Sequence, residues 1–227
     1  MANFGEFMDV SKRIYSICEY LKGSVLADIG TDHCYLPIFA IKSGKIKSAI
    51  GVDVNEGPLK AAYENIVRRD LEHKIQLRLG DGFYPIKPGE CDTAVVSGMG
   101  GMLISNILEN GLEIARGLGQ LILSPQSDFA LLRKSLHRFG FKIYDEGMVK
   151  DGAKFYQIIL ACPGLEPDYS ESEYEFGRIM LRNPNDDFRE FLEELRLKNE
   201  NIIKNNPLSP QRKAELLDVN QFIKSFK

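Results

Sequence analysis

Apolar and polar residues alternate with two different periods along the first two thirds of the chain. Five short apolar runs have the length of buried parallel strands, and they lie at residues 25–29, just before residue 55, and at 74–79, 91–97 and 120–124. Apolar residues at helical spacing separate these runs. The alternation of the two periods predicts an α/β fold with a largely parallel sheet.

A hairpin is predicted where this alternation ends. Residues 141–149 and 154–162 have the pattern of two strands, and an Asp151-Gly152 turn lies between them. Asp-Gly is a strong hairpin signal, because both residues tolerate the positive φ that a tight turn requires. We therefore expect an antiparallel pair at one edge of the sheet.

The last part of the chain has a helical pattern and a different composition. Helices are predicted at residues 171–181, 187–203 and 209–226, and Phe188, Leu195 and Ile202 recur every seven residues, as in a coiled coil. The chain is therefore predicted to contain an α/β domain over residues 1–164. A helical, coiled-coil-like domain follows over residues 165–227.

Composition and charge bound the function. The chain has 227 residues, of which 44% are hydrophobic, so it can bury one α/β core and support a smaller appendage. Its net charge is −3. Nucleic-acid-binding domains are often strongly basic, so the overall charge gives no support for a nucleic-acid partner, and any basic contact surface must be local.

The cysteines and histidines argue against metal chemistry. Four cysteines are scattered without a C-x-x-C pair, and the three histidines share no metal-ligand spacing. Reduced thiols and a cytoplasmic location fit this pattern best. No signal-peptide pattern or membrane-length apolar run is present. We expect no membrane partner, no metal, and no requirement for an oligomer.

The turn after the first strand indicates the class of ligand. A dinucleotide site needs several glycines, so that the backbone can approach a pyrophosphate, but only Gly30 is present here. Asp28 and Asp32 would repel a pyrophosphate and suit a cation such as S-adenosylmethionine (SAM). Asp53, at the end of the second strand, can accept hydrogen bonds from both ribose hydroxyls. The alternative is that these acids only cap helices.

Two further turns fit the same ligand. After the third strand, Asp81 can accept from the adenine amino group of SAM, and Gly82 lets the base lie against the backbone. After the fourth strand, the sequence S-G-M-G-G at residues 97–101 permits close approach of a flat base and of the methyl donor. The alternatives are an ordinary Gly-Asp-Gly turn and a glycine turn required by packing.

Together these motifs resemble the bacterial tRNA (adenine-22-N1)-methyltransferase family. The resemblance rests on D-I-G-T-D-H-C-Y-L-P at 28–37, V-D-V-N-E-G-P at 52–58, G-D-G at 80–82 and S-G-M-G-G at 97–101. It implies a Rossmann-like class I SAM-dependent methyltransferase sheet with a C-terminal helical, coiled-coil-like domain that docks on tRNA. Asp32 and Cys34 replace glycines of the broader methyltransferase pattern, and this departure belongs to the family's signature.

The resemblance implies SAM-dependent methylation of an adenine N1 in tRNA. Adenine N1 has a free lone pair once its base pair is open, so no side chain has to remove a proton from it. A carboxylate that stabilises the cationic product would help. Asp32 is the candidate. Since the adenine must leave its stack, Tyr35, Tyr156 and Phe83 are candidate stacking partners. The predicted cofactor site comprises Asp28, Gly30, Thr31, His33, Asp53, Val54, Asp81, Gly82, Ser97, Gly98 and Met99.

Substrate contacts are predicted at residues that flank this site, namely Arg13, Tyr35, Gly100, Lys154 and Tyr156. Arg13 lies off the apolar face of the first helix, so it either remains solvated or faces the ligand cleft or an RNA phosphate. Lys154 and Tyr156 either reach the cleft or stay on the edge strand. In the tail, a basic stripe is either a solvated helix face or an RNA contact: Arg182, Arg189, Arg196 and Lys204.

Other functions remain compatible with the sequence. A SAM-dependent enzyme acting on a small molecule is one alternative, although a small substrate does not need a coiled-coil-like tail. A nicotinamide-dependent dehydrogenase is disfavoured by the acidic, glycine-poor turn. A non-catalytic module that binds SAM or RNA is a third possibility.

Overall fold

The computed structural model describes residues 10–226, in which seven strands form one sheet. The strands are β1 (Val25–Ile29), β2 (Ser48–Asp53), β3 (Ile75–Leu79), β4 (Thr93–Ser97), β5 (Gln120–Ser124), β6 (Phe141–Asp151) and β7 (Lys154–Pro163). The helices are α1 (Lys12–Tyr20), α2 (Tyr35–Lys42), α3 (Glu56–Val67), α4 (Gly101–Asn110), α5 (Leu112–Gly117), α6 (Phe129–Arg138), α7 (Glu171–Phe176), α8 (Arg178–Arg182), α9 (Asp186–Asn205) and α10 (Pro210–Ser225).

The sheet has the strand order β3-β2-β1-β4-β5-β7-β6. Strands β1 to β5 pair in parallel. Helices return the chain after β1, β2 and β4, and a loop over residues 80–92 returns it between β3 and β4. Strand β7 runs antiparallel to β5 and β6, since the Asp151-Gly152 turn reverses the chain. The predicted class I methyltransferase sheet and its hairpin are confirmed. The chain order reverses around β1, and such a switch point is where open α/β sheets bind ligands.

Successive residues of each strand point to opposite faces of the sheet, and each face has its own apolar core. Leu26 and Ile122 pack with residues of α1, α2 and α3 on one face. Ala27 and Leu123 pack with residues of α4 and α6 on the other. Helix α1 therefore lies on one face of the sheet, and its first residues lie near the carboxyl ends of the strands.

Helix α6 buries a charge that its apolar pattern did not predict. Arg133 is fully buried, whereas the apolar Leu131 of the same helix is only half-buried. The Arg133 guanidinium donates to Glu146 on β6 and Gln157 on β7, both at 2.7 Å. It also donates to the carbonyls of Tyr174 and Glu175, at 2.8 and 3.1 Å. A buried arginine is tolerated here because its donors have partners.

The structure divides into two compact units, one ending at Arg182 and one beginning at Asn183. The sequence-based boundary at residues 164 and 165 differs, because α7 and α8 pack with the α/β unit. The Arg133 guanidinium donates hydrogen bonds to two backbone carbonyls of α7. The Glu146 carboxylate accepts from the Ile179 N–H of α8 at 3.0 Å. The helix predicted at 171–181 is interrupted at Gly177, which has a φ of 90°.

The second unit consists of α9 and α10. The predicted seam is present in Phe188 and Leu192, which are buried, but Leu195 is only half-buried. Further along α9, the polar residue Asn199 is also buried. Its side-chain amide donates to Asn220 of α10 at 3.0 Å. The Asn220 amide in turn donates to the Arg196 carbonyl at 3.3 Å. A buried amide pair fixes the register of two helices, and apolar periodicity could not reveal it.

Across residues 10–226, no helix is both long and apolar enough to cross a membrane. In the same part of the chain, no group of three or more His, Cys, Asp and Glu residues is placed to hold a metal ion. All four cysteines are free.

Candidate active site

A cavity of about 570 Å³ opens at the carboxyl ends of β1 to β4, at the switch point of the sheet. Its volume lies within the range of about 300 to 1,000 Å³ that is typical of small-molecule sites. Its walls come from the turns after these strands, from the start of α1 and from the loop after β5. The parallel strands therefore bring together groups that are far apart in the sequence.

Asp28, the penultimate residue of β1, is buried beneath the cavity. The Thr31 hydroxyl donates to its carboxylate at 2.7 Å. Burial raises the pKa of Asp28 to about 6, and the hydrogen bond from Thr31 and the charge of Arg13 only partly offset this effect. A positively charged ligand in the cavity would favour the ionised carboxylate.

Asp53 ends β2 and is held in place by backbone donors. Its carboxylate accepts from the Asn55 N–H at 3.0 Å and from the Asp32 N–H at 3.3 Å. The second bond links the turns after β1 and β2, because Asp32 has a left-handed backbone with a φ of 50°. The carboxylate lines the cavity, where it can accept from a ligand diol.

Asp32 lines the same cavity as Asp28 and Asp53, but it lies at the solvent-exposed mouth. Its side chain is 67% exposed, with an oxygen 3.6 Å from Nε2 of His33. It does not cap α2, because Cys34 is the N-cap residue and makes no side-chain capping bond. Burial raises the pKa of Cys34 to about 12, so this thiol is not a nucleophile at neutral pH.

His33 and Tyr35 form an aromatic pair beside Asp32. Their rings are stacked at 5.4 Å between centroids with an interplanar angle of 29°, and both residues line the cavity. The Tyr35 side chain is partly exposed. The pair therefore presents a flat, accessible surface next to the predicted catalytic carboxylate.

The turn after β4 lies close to the turn after β1. A Cβ atom on Gly30 would be 2.2 Å from Cε of Met99, and Gly30 also has a φ of 75°. Gly101 has a packing role, since a Cβ there would be 2.5 Å from the carbonyl oxygen of Asp128. Both interpretations of the glycine turn therefore apply, to different residues: Gly98 lines the cavity, and Gly101 permits packing.

Arg13 faces the cavity, which decides between the two alternatives considered for it. Its Nη1 atom is 3.5 Å from the position that a Cβ on Gly98 would occupy. Its guanidinium lies over the ring of Tyr156, 5.1 Å from the centroid. Tyr156 thus supports Arg13 and is not itself part of the cavity lining.

All predicted cofactor residues line this one cavity, together with Asp32, Arg13 and Tyr35: Asp28, Gly30, Thr31, His33, Asp53, Val54, Asp81, Gly82, Ser97, Gly98 and Met99. Gly100, Lys154, Tyr156 and Phe83 lie outside its lining. Phe83 is buried against Gly111, which leaves its ring no free face for stacking. The roles of the lining residues remain predictions.

The sequence analysis did not predict nine of the lining residues: Ile14, Ile29, Leu36, Val52, Asn55, Gly80, Leu103, Ile107 and Gln126. Gln126 is the polar residue among them on the β5 side. Gln126 follows the end of β5 by two residues. The rule that identified Asp53 and Asp81, a polar residue just beyond a strand's carboxyl end, could have identified it.

Comparisons with known proteins identify the family of the chain. A family model described as a methyltransferase domain matches residues 10–159. The tRNA (adenine(22)-N(1))-methyltransferase of Bacillus subtilis (strain 168) is 36% identical over 158 residues, which are 69% of this chain and 66% of that protein. The matched stretch is thus just under two thirds of the Bacillus protein.

Solved structures match over nearly the whole chain. Streptococcus pneumoniae Sp1610, a proposed tRNA (m1A22) methyltransferase, superposes with a TM-score of 0.90 at 32% identity, covering 96% of this chain and 99% of that one. The same protein in complex with SAM superposes with a TM-score of 0.87. The methyltransferase-domain match and this full-length likeness confirm the resemblance predicted from the motifs, and the chain belongs to the tRNA (adenine-22-N1)-methyltransferase family.

Proposed function

We propose that this protein transfers the methyl group of SAM to N1 of adenine 22 in tRNA. The observation that carries this proposal is the acidic cavity at the switch point of a methyltransferase sheet, in a chain similar to a Bacillus enzyme named for this reaction. Support for SAM comes from the structural relative that was crystallised with it.

The residues of the cavity fit SAM. Asp28 is a buried carboxylate that accepts a hydrogen bond from Thr31, and its negative charge can attract the ammonium or sulfonium group. Asp53 is oriented by two backbone N–H groups and keeps acceptor capacity for the ribose hydroxyls. Gly82, beside Asp81, packs its backbone closely on Ile107, since a Cβ there would be 2.9 Å from the Ile107 side chain. The adenosine end would then lie over β2 and β3.

The chemistry demands little of the protein beyond positioning and charge. SAM supplies an electrophilic methyl group on a sulfonium. Adenine N1 attacks through its own lone pair, so no side chain has to remove a proton, and alignment of the two reactants provides most of the acceleration. The adenine ring becomes cationic, and Asp32 at the cavity mouth provides a nearby negative charge that stabilises it.

The direct test is methyl transfer from labelled SAM to two tRNA transcripts that differ only at position 22. We expect N1-methyladenosine in the adenine-22 transcript and no label in the guanine-22 transcript. Calorimetry should show binding of SAM and none of NAD. Equal labelling of the two transcripts, or labelling of small molecules alone, would overturn the proposed substrate.

The unit formed by α9 and α10 is proposed to dock on tRNA. Its predicted basic stripe is weaker than the sequence indicated, because Arg196 is paired with Glu193 at 2.5 Å and with Glu200 at 2.7 Å. Arg189 and Lys204 remain the candidate phosphate contacts of α9. A tRNA substrate also leads us to propose a cytoplasmic location.

A further inference from the structure

Gln126 is held rigidly at the edge of the cavity. Its backbone N–H donates to the Met99 carbonyl at 2.8 Å, and the next residue, Ser127, accepts from the Gly101 N–H at 2.9 Å. These two backbone hydrogen bonds connect the loop after β5 to the turn after β4. The Gln126 side chain is exposed to the cavity, and its amide forms no hydrogen bond with another described residue. A polar group on so rigid a loop is suited to recognition.

The strand order separates Gln126 from the acidic residues. Asp53 and Asp81 follow β2 and β3 on one side of the switch point, whereas Gln126 follows β5 on the other, with β1 and β4 between them. If the acids hold the cofactor, as the proposed function requires, the acceptor base lies over β4 and β5. Gln126 is then on the side of the base.

When N1 of an adenine is methylated, the Hoogsteen edge of the base remains available for recognition. That edge presents a donor, the N6 amino group, next to an acceptor, N7, and the side-chain amide of glutamine matches this pair. Among the described polar side chains on this side of the cavity, Arg13 can only donate, and Ser97 offers a single hydroxyl. Gln126 has both a carbonyl acceptor and an amino donor.

We propose that Gln126 is a specificity residue that binds the N6 amino group and N7 of the target adenine, so that N1 is left free to face the methyl donor. Guanine carries an acceptor, O6, where adenine has its amino group. The Gln126 carbonyl would then face O6 without a hydrogen, and the pair would be repulsive. This role rests on the proposed function and adds the basis of base selection.

The test combines an enzyme variant with a change of one atom in the base. Gln126→Ala should lower the single-turnover kcat/KM for adenine-22 tRNA by about 10- to 100-fold, the range for a bidentate base contact. SAM affinity by calorimetry should stay unchanged. A synthetic tRNA with 7-deazaadenine at position 22, which lacks the N7 acceptor, should be a poorer substrate for wild type than adenine, but no poorer for Gln126→Ala.

A second variant tests the same contact by introducing a negative charge. Gln126→Glu still accepts from N6 but places a negative charge against the N7 lone pair, so it should prefer 7-deazaadenine over adenine, the reverse of wild type. Ser127→Ala is the matched control, because its hydroxyl bonds only within the loop, to Asp128 at 2.7 Å, and it should behave as wild type.

The outcomes separate the two proposals. If wild type methylates adenine 22 but 7-deazaadenine lowers the rate equally in wild type and Gln126→Ala, the role of Gln126 is overturned and the proposed function stands. If wild type does not methylate adenine 22 at all, both are overturned.

Discussion

The guanidinium of Arg13 lies over the ring of Tyr156, 5.1 Å from its centroid. Arg13 lies in the first turn of α1 and Tyr156 belongs to the edge hairpin, so this contact joins two elements far apart in the sequence. The Arg13 backbone N–H also donates to Asp151 in the hairpin, at 3.3 Å. The hairpin therefore aims the arginine side chain into the cavity.

Replacement of Tyr156 should reduce activity through Arg13. An exposed to partly buried cation–π contact contributes about 0.5 to 2 kcal/mol, and the Tyr156→Leu variant loses it. We expect a lower kcat/KM for tRNA with little change in SAM affinity. Tyr156→Phe keeps the aromatic face and should behave nearly as wild type. Equal losses in the two variants would show that the hydroxyl, and not the ring, matters.

Asp28→Asn should stabilise the ligand-free protein at neutral pH. The pKa of Asp28 is raised from 3.8 to about 6 by burial, so ionising it destabilises the fold by at most about 3 kcal/mol at pH 7. Asparagine keeps the acceptor for Thr31 without the charge. Urea unfolding of the two proteins measures the difference.

The same substitution has a defined pH dependence. Between pH 3.8 and about 6 the folded protein binds more protons at Asp28 than the unfolded chain does, so its stability falls as pH rises. The advantage of Asp28→Asn should therefore grow from pH 4 to pH 7. SAM affinity of wild type should fall below about pH 6, as the carboxylate is protonated. A constant stability difference across this range would contradict the buried charge.

Asp32→Asn should lower turnover more than SAM affinity. The charge on adenine grows toward the transition state, so an anion beside the ring acts mainly on the rate. Because the Asp32 side chain is 67% exposed, solvent screens it, and we expect a loss of about three- to tenfold that shrinks at high salt. Single-turnover rates at saturating SAM measure it. A rate within about twofold of wild type at low salt would remove Asp32 from the mechanism.

Two truncations should behave differently. A chain ending at Arg182 keeps the bonds of Arg133 to α7 and of Glu146 to α8, so it should fold and bind SAM but lose tRNA methylation. A chain ending at Gly164 lacks α7 and α8, so the buried ion pair of Arg133 and Glu146 loses these hydrogen-bond partners. The free energy of unfolding should fall by about 3 kcal/mol or more. Thermal unfolding and SAM calorimetry compare them. Full tRNA activity after removal of residues 183–227 would exclude the docking role of the tail.

The sheet and the acidic half of the site could be predicted from local sequence patterns. Asp28, Asp53 and Asp81 lie at or just beyond the carboxyl ends of short apolar runs, and parallel strands place these ends along one edge. Local pattern and topology were therefore enough to bring these residues into one cavity. The turn at Asp151-Gly152 likewise specified the hairpin, because its backbone preference is local.

The other half of the site and the boundary between the two units depend on long-range contacts. Arg13 on a helix face has the same local pattern whether it is solvated or faces a cavity, and its position depends on Tyr156 of a distant strand. The burial of Arg133 depends on Glu146 and Gln157, which become its neighbours only when the sheet forms. Such contacts leave no period in the sequence, since periodicity reports which face of an element is apolar and not which distant partner satisfies a charge.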